Sequence, residues 1–294
     1  MQRLCPGLVL SERYRLIRHV ASGGMGQVWE AVDDTLERRV ALKIMHPHTQ
    51  HELALADRFR DEARFAAQLS QSNIVTVYDF LEHEGLSCLV MEFVEGPNLA
   101  ALLAGGPLGA DEVRDLIRQL ASALALAHEA GIVHRDMKPA NVMVTGNHAQ
   151  LMDFGIARSV DADSRTLTGQ VLGTAHYLSP EQALGQTVGP AADIYSLGIL
   201  AHEMLTTTKP FDRLTPIATA LAHVQDPPPP LPPGTPEDLV ALVTACLAKD
   251  PDQRPSAALI VRMMEDPASD PHHPAGLEAA MAQSDLPRRA LLDD

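Results

Sequence analysis

Short runs of alternating apolar and polar residues fill the first third of the chain, and this period of two predicts β-strands. A glycine-rich turn separates the first two runs. Between the third and fourth runs, residues 55–69 change to helical spacing, with Leu55, Phe59 and Ala63 on one face. The strand-like runs are residues 14–21, 27–33, 39–45, 74–80 and 86–93. This pattern predicts a small mixed lobe of about five strands and one helix.

Helical spacing dominates after Gly96-Pro97, a dipeptide that favours a turn. The clearest helix is predicted over residues 111–130, where the acidic residues Asp111 and Glu112 stand at the end that the helix dipole makes positive. Its apolar stripe contains Val113, Leu116, Ile117, Leu120, Leu124 and Ala127. The second part of the chain is therefore predicted to be a larger, mainly helical lobe.

Two further helices are predicted over residues 193–206 and 236–248. Residues 226–236 carry too many prolines for a helix and are predicted to form an extended surface loop. The pattern divides the chain into an amino-terminal lobe over residues 11–95, a carboxy-terminal lobe over 96–265 and a loosely held tail over 266–294. The fold class predicted from these segments is α+β.

Composition narrows the possible functions. Of the 294 residues, 46% are hydrophobic, and 38 acidic side chains outweigh 23 Lys and Arg, giving a formal net charge of −15. Such a chain is a poor candidate for nucleic-acid binding, which needs dense positive charge. No apolar run has the length of a membrane span, and no signal peptide is recognisable at the amino terminus.

The three cysteines, Cys5, Cys88 and Cys246, lie far apart and include no CxxC pair. This spacing argues against a disulfide scaffold or a zinc site and fits a reducing cytosol. The expected location is the cytoplasm, either for the chain alone or as the cytoplasmic part of a longer membrane-anchored protein. His46, His48 and His51 also lie close together, but they lack a supporting Cys or carboxylate pattern, so a polar loop is favoured over a metal site.

The chemistry is concentrated in the sequence HRDMKPAN, residues 134–141, which is followed by the sequence DFG, residues 153–155. Asp136 is a potential general base, Lys138 a cation for phosphate, and Asn141 and Asp153 offer the oxygen ligands that magnesium prefers. Together they suit the transfer of a phosphoryl group from a metal-bound nucleotide to a hydroxyl group.

These motifs resemble those of eukaryotic-type (Hanks-type) serine/threonine protein kinases, above all the bacterial branch, and the resemblance covers roughly residues 11–265. It implies a bilobal protein kinase fold and the use of ATP with Mg²⁺, with Mn²⁺ as an alternative. It also implies that the substrates are serine and threonine residues of proteins. Lysine at position 138 resembles serine/threonine kinases rather than tyrosine kinases.

The resemblance assigns nucleotide-binding roles to the glycine-rich loop, the strand with Lys43 and the segment between the lobes. The glycine-rich loop departs from the family pattern, because Ala21 stands where the first glycine is usual. Lys43 would contact the α- and β-phosphates and pair with Glu62, while Asp61 is a shorter and differently directed competitor. The residues implied for the nucleotide are Ala21, Ser22, Gly23, Gly24, Met25, Gly26, Val28, Ala41, Lys43, Glu62, Met91, Glu92, Val94, Asn141 and Asp153.

The resemblance further implies that Asp136 accepts the proton of the substrate hydroxyl and that Thr174 faces the substrate. Residues 153–181 resemble an activation segment, in which Thr166 and Thr168 are the expected autophosphorylation sites. Arg135 supplies a positive charge that a phosphorylated threonine could satisfy.

Three structural roles follow from the same likeness. Glu181 should form a buried ion pair with Arg254, Asp193 should brace the backbone of the catalytic loop, and His134 should pack beneath the DFG segment. The proline run is interpreted as a connecting loop of the large lobe rather than a ligand for an SH3-type domain.

Two other classes of protein compete with an active protein kinase. A pseudokinase would bind nucleotide without transferring phosphate, and only Ala21 favours it; a small-molecule phosphotransferase is disfavoured by the Thr174 segment. Expected partners are protein substrates, phosphothreonine-reading domains and a second copy bound through the small lobe.

Overall fold

The computed structural model describes residues 4–23, 26–45, 69–154 and 175–265 of the chain. The amino-terminal part is a sheet of six strands: β1 Val9–Leu10, β2 Tyr14–Gly23, β3 Gly26–Asp33, β4 Arg38–Met45, β5 Val77–His83 and β6 Leu86–Glu92. Their order is β1-β2-β3-β4-β6-β5, and every neighbouring pair is antiparallel. Antiparallel neighbours joined by tight turns are what alternating runs separated by glycine or polar residues produce.

The five predicted strands are confirmed, with small changes at their ends. Strand β1 was missed because two residues are too few to show an alternation. The run predicted over residues 74–80 begins later than expected, at Val77. Ile74 instead forms a parallel bridge with Leu151, and the Val75 amide donates to the Leu151 carbonyl at 2.9 Å. These contacts attach Ile74 and Val75 to the carboxy-terminal part of the molecule rather than to the sheet.

Helices make up most of the carboxy-terminal part: α1 Leu99–Leu103, α2 Ala110–Glu129, α3 Pro180–Ala183, α4 Ala191–Thr206, α5 Pro216–Gln225, α6 Glu237–Cys246 and α7 Ala257–Glu265. The predictions over residues 111–130, 193–206 and 236–248 are confirmed as α2, α4 and α6. Residues 226–236 contain no helix, as predicted. Helices α1, α3, α5 and α7 were missed, because α1 and α3 are short and no distinct stripe was recognised in the other two.

The core of this part is organised around helix α4. Thirteen of its residues are buried, so it is apolar on nearly every side and lies in the interior, whereas α2 buries only one stripe. At Gly198 of α4, a Cβ atom would lie 2.7 Å from Cys246 Cβ. Glycine is therefore required where α4 and α6 approach most closely.

A small hairpin, β7 Val142–Thr145 and β8 His148–Leu151, lies beside the catalytic loop and was not predicted. It carries the chain from the 3-10 turn Pro139–Asn141 to Asp153. The hairpin thus sets the distance between the two candidate metal-binding residues.

All three cysteines are free thiols. Cys88 and Cys246 are buried, and burial raises the pKa of each thiol to about 12. The prediction that the chain has no disulfide scaffold is confirmed, and neither buried thiol has the lowered pKa of a reactive cysteine.

Some predictions fall on residues outside the described ranges. These include nearly all of the helix predicted over residues 55–69 and the tail over residues 266–294. Among the helices that are described, none is both long enough and apolar enough to cross a membrane.

Candidate active site

The catalytic loop brings its three predicted functional side chains into contact. Lys138 Nζ lies 2.7 Å from Asp136 Oδ2, and Asn141 Nδ2 donates to the Asp136 carbonyl at 2.8 Å. Asn141 Nδ2 also lies 3.2 Å from Asp136 Oδ2. Asn141 is buried, so its amide is held in one orientation with its oxygen available to another group. A carboxylate, an ammonium group and an amide are therefore gathered within one turn of chain.

Asp193 fixes the backbone of this loop, as predicted. Its buried carboxylate accepts from the amides of His134 and Arg135, each at 2.8 Å, and from His128 Nε2 at 2.8 Å. Arg135 has a φ of +63°, which is unfavourable for a residue with a side chain. The hydrogen bonds that the His134 and Arg135 amides donate to Asp193 compensate for this strain, and strain of this kind is typical of functional loops.

His134 packs beneath the DFG segment, which confirms its structural role. It is fully buried, its ring centroid lies 4.7 Å from that of Phe154, and its Nε2 lies 3.0 Å from the Met152 carbonyl oxygen. Desolvation by burial lowers the pKa of His134, although the Asp193 carboxylate opposes the shift. A neutral imidazole in this position links the catalytic loop to the residues that precede Asp153.

The free energy of unfolding should fall as the pH is lowered below about 6.5, the ordinary pKa of histidine. Burial lowers the pKa of His134 and lowers that of His223 to about 3, so the unfolded chain binds protons that the folded chain does not. Each such proton lowers stability by about 1.4 kcal/mol per pH unit between the two pKa values. Urea unfolding at pH 7.5, 6.5 and 5.5 should show this loss, and His223→Gln should reduce its slope. A slope unchanged in the variant would contradict the assignment.

Lys43 and Asp153 meet across the cleft between the sheet and the catalytic loop. Their Nζ and Oδ1 atoms lie 2.8 Å apart. Asp153 has a φ of +59°, a second strained position in the site. The Met152 amide donates to the Asn141 carbonyl at 3.0 Å, which ties the segment before Asp153 to the catalytic loop. Glu62, the predicted partner of Lys43, and its competitor Asp61 lie outside the described residues.

An apolar cluster lies next to this ion pair, since Ala41 is two residues from Lys43 and Met152 directly precedes Asp153. Ala41, Val75 and Met91 are buried in one cluster, and the partly buried residues Val28, Phe93, Val94 and Met152 pack against them. Four of these residues were predicted from the sequence; Val75, Phe93 and Met152 were missed. The position of Met152 directly before Asp153 was the signal that could have identified it. The apolar character of these side chains suits contact with a flat aromatic base.

The segment that joins the two lobes is held by its neighbours. The carboxylate of Glu92 accepts from the Thr76 amide and from Gln150 Nε2, each at 3.3 Å, and Thr145 Oγ1 donates to the Glu95 carbonyl at 2.6 Å. Gly96 has a φ of +137°, and a Cβ atom there would lie 2.6 Å from the Val144 carbonyl oxygen. The joining segment therefore lies directly against the hairpin that follows the catalytic loop.

The glycine-rich loop closes strands β2 and β3. Ser22 pairs with Gln27 and Gly23 with Gly26, while Ala21, which replaces the usual first glycine, pairs with Val28. A Cβ atom on Gly26 would overlap with the Ile44 carbonyl oxygen, so only glycine fits there. The register of β2 against β3 shifts between His19 and Ala21, but Ala21 itself still pairs with Val28, so its methyl group does not prevent the pairing. Gly24 and Met25 lie outside the described residues.

Glu181 and Arg254 form the predicted buried ion pair. Arg254 Nη1 and Nη2 donate to the two carboxylate oxygens at 2.7 and 2.9 Å. Gln182, the neighbour of Glu181, donates through Nε2 to the Arg135 carbonyl at 3.2 Å. The pair therefore supports the catalytic loop as well as helix α3.

Several predicted positions lie outside the described residues: Gly155, Thr166, Thr168 and Thr174, and the histidines His46, His48 and His51. Within the described ranges, no group of three or more His, Cys, Asp or Glu side chains could hold a metal ion. Asn141 and Asp153 therefore remain the candidate metal-binding residues, as two oxygen ligands rather than an all-protein cage.

Comparisons with known proteins agree with this geometry. The family model described as protein kinase domain matches residues 14–264. Serine/threonine-protein kinase PknA of Mycobacterium tuberculosis is 44% identical over 255 residues, which cover 84% of this chain and 59% of that protein. Serine/threonine-protein kinase pkn2 of Myxococcus xanthus is 40% identical over 263 residues, covering 85% of this chain and 32% of that protein.

A solved structure is also similar. The crystal structure of the Mycobacterium tuberculosis PknI kinase domain matches with a TM-score of 0.71 and 27% identity, covering 91% of this chain and 100% of that one. This chain spans less than two thirds of the length of the two curated relatives described above.

Proposed function

Because the chain belongs to the protein kinase domain family, within its bacterial serine/threonine branch, we propose that it transfers the γ-phosphoryl group of ATP to serine and threonine hydroxyls of proteins. The observation that carries this proposal is the cluster of Asp136, Lys138 and Asn141 opposite the Lys43–Asp153 ion pair. Phosphoryl transfer needs positioned charges more than covalent chemistry, and these five side chains supply them.

Asp136 is proposed to orient the substrate hydroxyl and to accept its proton. Its carboxylate is partly buried and already held by Lys138 and Asn141, so the acceptor oxygen has a fixed direction. Lys138 would neutralise the charge on the transferred phosphoryl group, and its short distance to Asp136 places that cation beside the attacking oxygen. Asp136 would thus take the proton, and Lys138 would stabilise the developing negative charge.

Asn141 and Asp153 are proposed to hold divalent metal, for which their hard oxygen donors are suited. We expect Mg²⁺, with Mn²⁺ as an alternative. When bound, the metal supplies positive charge to the oxygens of the phosphates. Lys43 is proposed to pair with the α- and β-phosphates when nucleotide is bound, leaving Asp153 to the metal.

The remaining nucleotide contacts are proposed on two surfaces. The backbone of residues 21–26 would approach the phosphates, and Val28, Ala41 and Met91 would enclose the adenine. Backbone groups of Glu92 and Val94 would give the adenine its hydrogen bonds. The apolar cluster that contains four of these residues supports this assignment. We propose Glu62 as the second partner of Lys43 and Thr174 as the substrate-facing residue.

Incubation with radiolabelled ATP and a generic basic protein tests the proposal. Label on serine or threonine of the protein is expected, in the presence of Mg²⁺ and not after its removal by a chelator. Tight ATP binding without labelled protein would instead indicate a pseudokinase. Label on a small acceptor only would indicate a small-molecule phosphotransferase.

Autophosphorylation at Thr166 and Thr168 is proposed as the activating step. Arg135 Nε is buried and has no hydrogen-bond partner among the described residues, so this guanidinium has a donor left for the oxygens of a phosphate. Mass spectrometry after incubation with Mg-ATP should find one or both threonines phosphorylated. Unmodified Thr166 and Thr168 in an active preparation would contradict this step.

Partners and location complete the proposal. We propose a homodimer through the small lobe, where Leu36 in the β3–β4 turn is 55% exposed, more than any other large hydrophobic residue of the sheet. Leu36→Asp should abolish a dimer seen by analytical ultracentrifugation.

Proteins with phosphothreonine-reading domains are proposed as further partners, and the cytoplasm as the location. The proposed lobe limits are residues 11–95 and 96–265, with a tail from 266.

A further inference from the structure

A group of charged side chains surrounds Phe93 at the edge of the apolar cluster, and none of the roles above includes these charges. Arg18, Glu30, Arg39 and Glu95, together with Phe93, are here called the hinge clamp. On strand β4, Arg39 is two residues from Ala41, and on β3 Glu30 is two residues from Val28. Because strand residues two apart share a face, Arg39 and Glu30 lie on the side of the sheet that carries the apolar cluster.

Glu30 is the anchor of the hinge clamp. It is only 7% exposed, and its two carboxylate oxygens are occupied by different arginines. Arg39 Nε donates to Oε1 at 2.9 Å, with Nη2 of the same side chain 2.8 Å away, while Arg18 Nε lies 2.6 Å from Oε2. A buried carboxylate bound by two guanidinium groups restricts the directions that both arginines can take.

Arg39 extends from this anchor to the segment that joins the lobes. Its guanidinium carbon lies 4.4 Å from the centroid of the Phe93 ring, and its Nη1 forms an ion pair with Glu95. Arg18 lies 6.0 Å from the same ring. Cations over an aromatic face attract it, so Phe93 is held from the sheet side by two anchored charges.

The opposite side of the same segment is fixed by the carboxy-terminal lobe. Thr145 Oγ1 donates to the Glu95 carbonyl, and the Val144 amide donates to the Pro97 carbonyl at 3.0 Å. Residues 93–97 are therefore held between the hinge clamp and the β7–β8 hairpin. The backbone groups of Glu92 and Val94, on either side of Phe93, are those proposed to bind adenine.

We propose that Arg39, fixed by Glu30, is a positioning residue for the adenine base. It holds Phe93 and Glu95, and through them it sets the direction of the Glu92 and Val94 backbone groups. This inference rests on the proposed nucleotide site but not on phosphoryl transfer. It assigns to Arg39 a contribution to nucleotide affinity that acts through the base, without contact with the phosphates.

The test compares two ligands by calorimetry. Arg39→Gln should weaken binding of a non-hydrolysable ATP analogue about five-fold, the combined effect of one cation–π contact and one partly exposed ion pair. Binding of inorganic tripolyphosphate, which has no base, should change by less than about 1.5-fold, because Arg39 is not expected to reach the phosphates. Equal weakening of both ligands would overturn the proposal, since it would show that Arg39 acts as a general positive charge.

Arg15→Gln is the matched control. Arg15 has nearly the same side-chain exposure as Arg39, 48% against 47%, and also pairs with a carboxylate, that of Asp34, but it does not contact the hinge. The control should bind both ligands as the unaltered protein does. An Arg39→Gln affinity equal to that of the control would overturn the proposal.

Phe93→Leu tests the same contact without changing any charge. It should weaken binding of the analogue about two- to three-fold, and adding Arg39→Gln should give less than the product of the two single effects, because both remove one shared contact. If the loss of affinity in the double variant equals the product of the two single losses, the proposed clamp is contradicted. Hydrogen exchange in the nucleotide-free protein adds a readout without ligand: amides of residues 92–96 should exchange faster in Arg39→Gln and not in Arg15→Gln.

These measurements separate the clamp from the proposed kinase activity. A protein that binds the analogue but labels no substrate would refute phosphoryl transfer and still allow the comparison of Arg39 and Arg15. Melting temperatures of all variants identify any loss of folding. A protein that phosphorylates substrates with an unchanged ATP affinity in Arg39→Gln would refute the clamp alone.

Discussion

Replacing Asp136 by asparagine should lower the rate of phosphoryl transfer by about 10²–10⁴-fold, the usual contribution of a positioned general base. The amide has nearly the same shape but cannot accept the proton of the attacking hydroxyl. It also removes the negative charge that holds Lys138 at 2.7 Å. Because Asp136 lies on the catalytic loop and is not part of the apolar cluster proposed to contact adenine, the affinity for ATP should change by less than about two-fold. Single-turnover kinetics and nucleotide titration measure the two quantities separately.

Asp111→Asn is a suitable control for this substitution. Asp111 is a fully exposed carboxylate at the start of helix α2, and it also has a close basic partner, Arg114 Nη1 at 2.6 Å. The same chemical change should leave the phosphoryl-transfer rate within about two-fold, since an exposed ion pair contributes little. Wild-type rates in Asp136→Asn would remove Asp136 from its proposed role. Equal loss in the two variants would point to the expression or folding of the protein instead.

The elements that could be predicted from the sequence are those whose environment is uniform along their length. Helix α2 has one buried stripe and acidic residues in its first turn, so its period is visible in the sequence. Strands β2 to β4 were recognised as short β-type runs between turns, although their burial does not alternate strictly. Strand β1 has two residues and no period, and its pairing depends on the position of β2. Strand β5 begins later than predicted because Ile74 pairs with Leu151, a contact between residues far apart in the chain.

The candidate site shows the same division. Asp136, Lys138 and Asn141 are close in sequence, so their contacts follow from one short loop whose spacing can be read directly. The meeting of Lys43 with Asp153 needs two distant segments, and it was expected only through the likeness to a known family. Val75 and Phe93 carry no chemical group that singles them out, and only their packing against Ala41 and Met91 identifies them.

The hinge clamp could not be predicted from the spacing of residues in the sequence. Nothing in the sequence around Arg18, Glu30 or Arg39 distinguishes these residues from ordinary surface charges, for which only a small effect is expected. Their register across β2, β3 and β4 places them on one face, and the adjacent Phe93 gives that face a specific target. Cross-strand pairing thus brings three charged residues that are separate in the sequence into one group beside Phe93.

Replacing Arg254 by methionine should destabilise the protein by about 3–5 kcal/mol, the typical effect of removing one partner of a buried ion pair. The Arg254 side chain is inaccessible to solvent, and the Glu181 side chain is only 6% exposed. Arg254 also donates to the carbonyl groups of Ala248, Ala191 and Lys249 at 2.8–3.0 Å. Methionine fills much of the volume but leaves a buried carboxylate and three carbonyl groups without these donors. Chemical unfolding gives the free energy, and the melting temperature should fall by roughly 10 °C.

Two further variants test whether the buried charge is the cause. Arg118→Met removes an exposed pair with Asp115 and should change stability by less than about 1 kcal/mol. Combining Arg254→Met with Glu181→Gln removes both charges, so it should recover part of the lost stability, because no carboxylate is left buried alone. Recovery should be incomplete, since the carbonyl groups that Arg254 satisfied remain without their donor. A double variant less stable than Arg254→Met would show that packing, and not the isolated charge, dominates at this site.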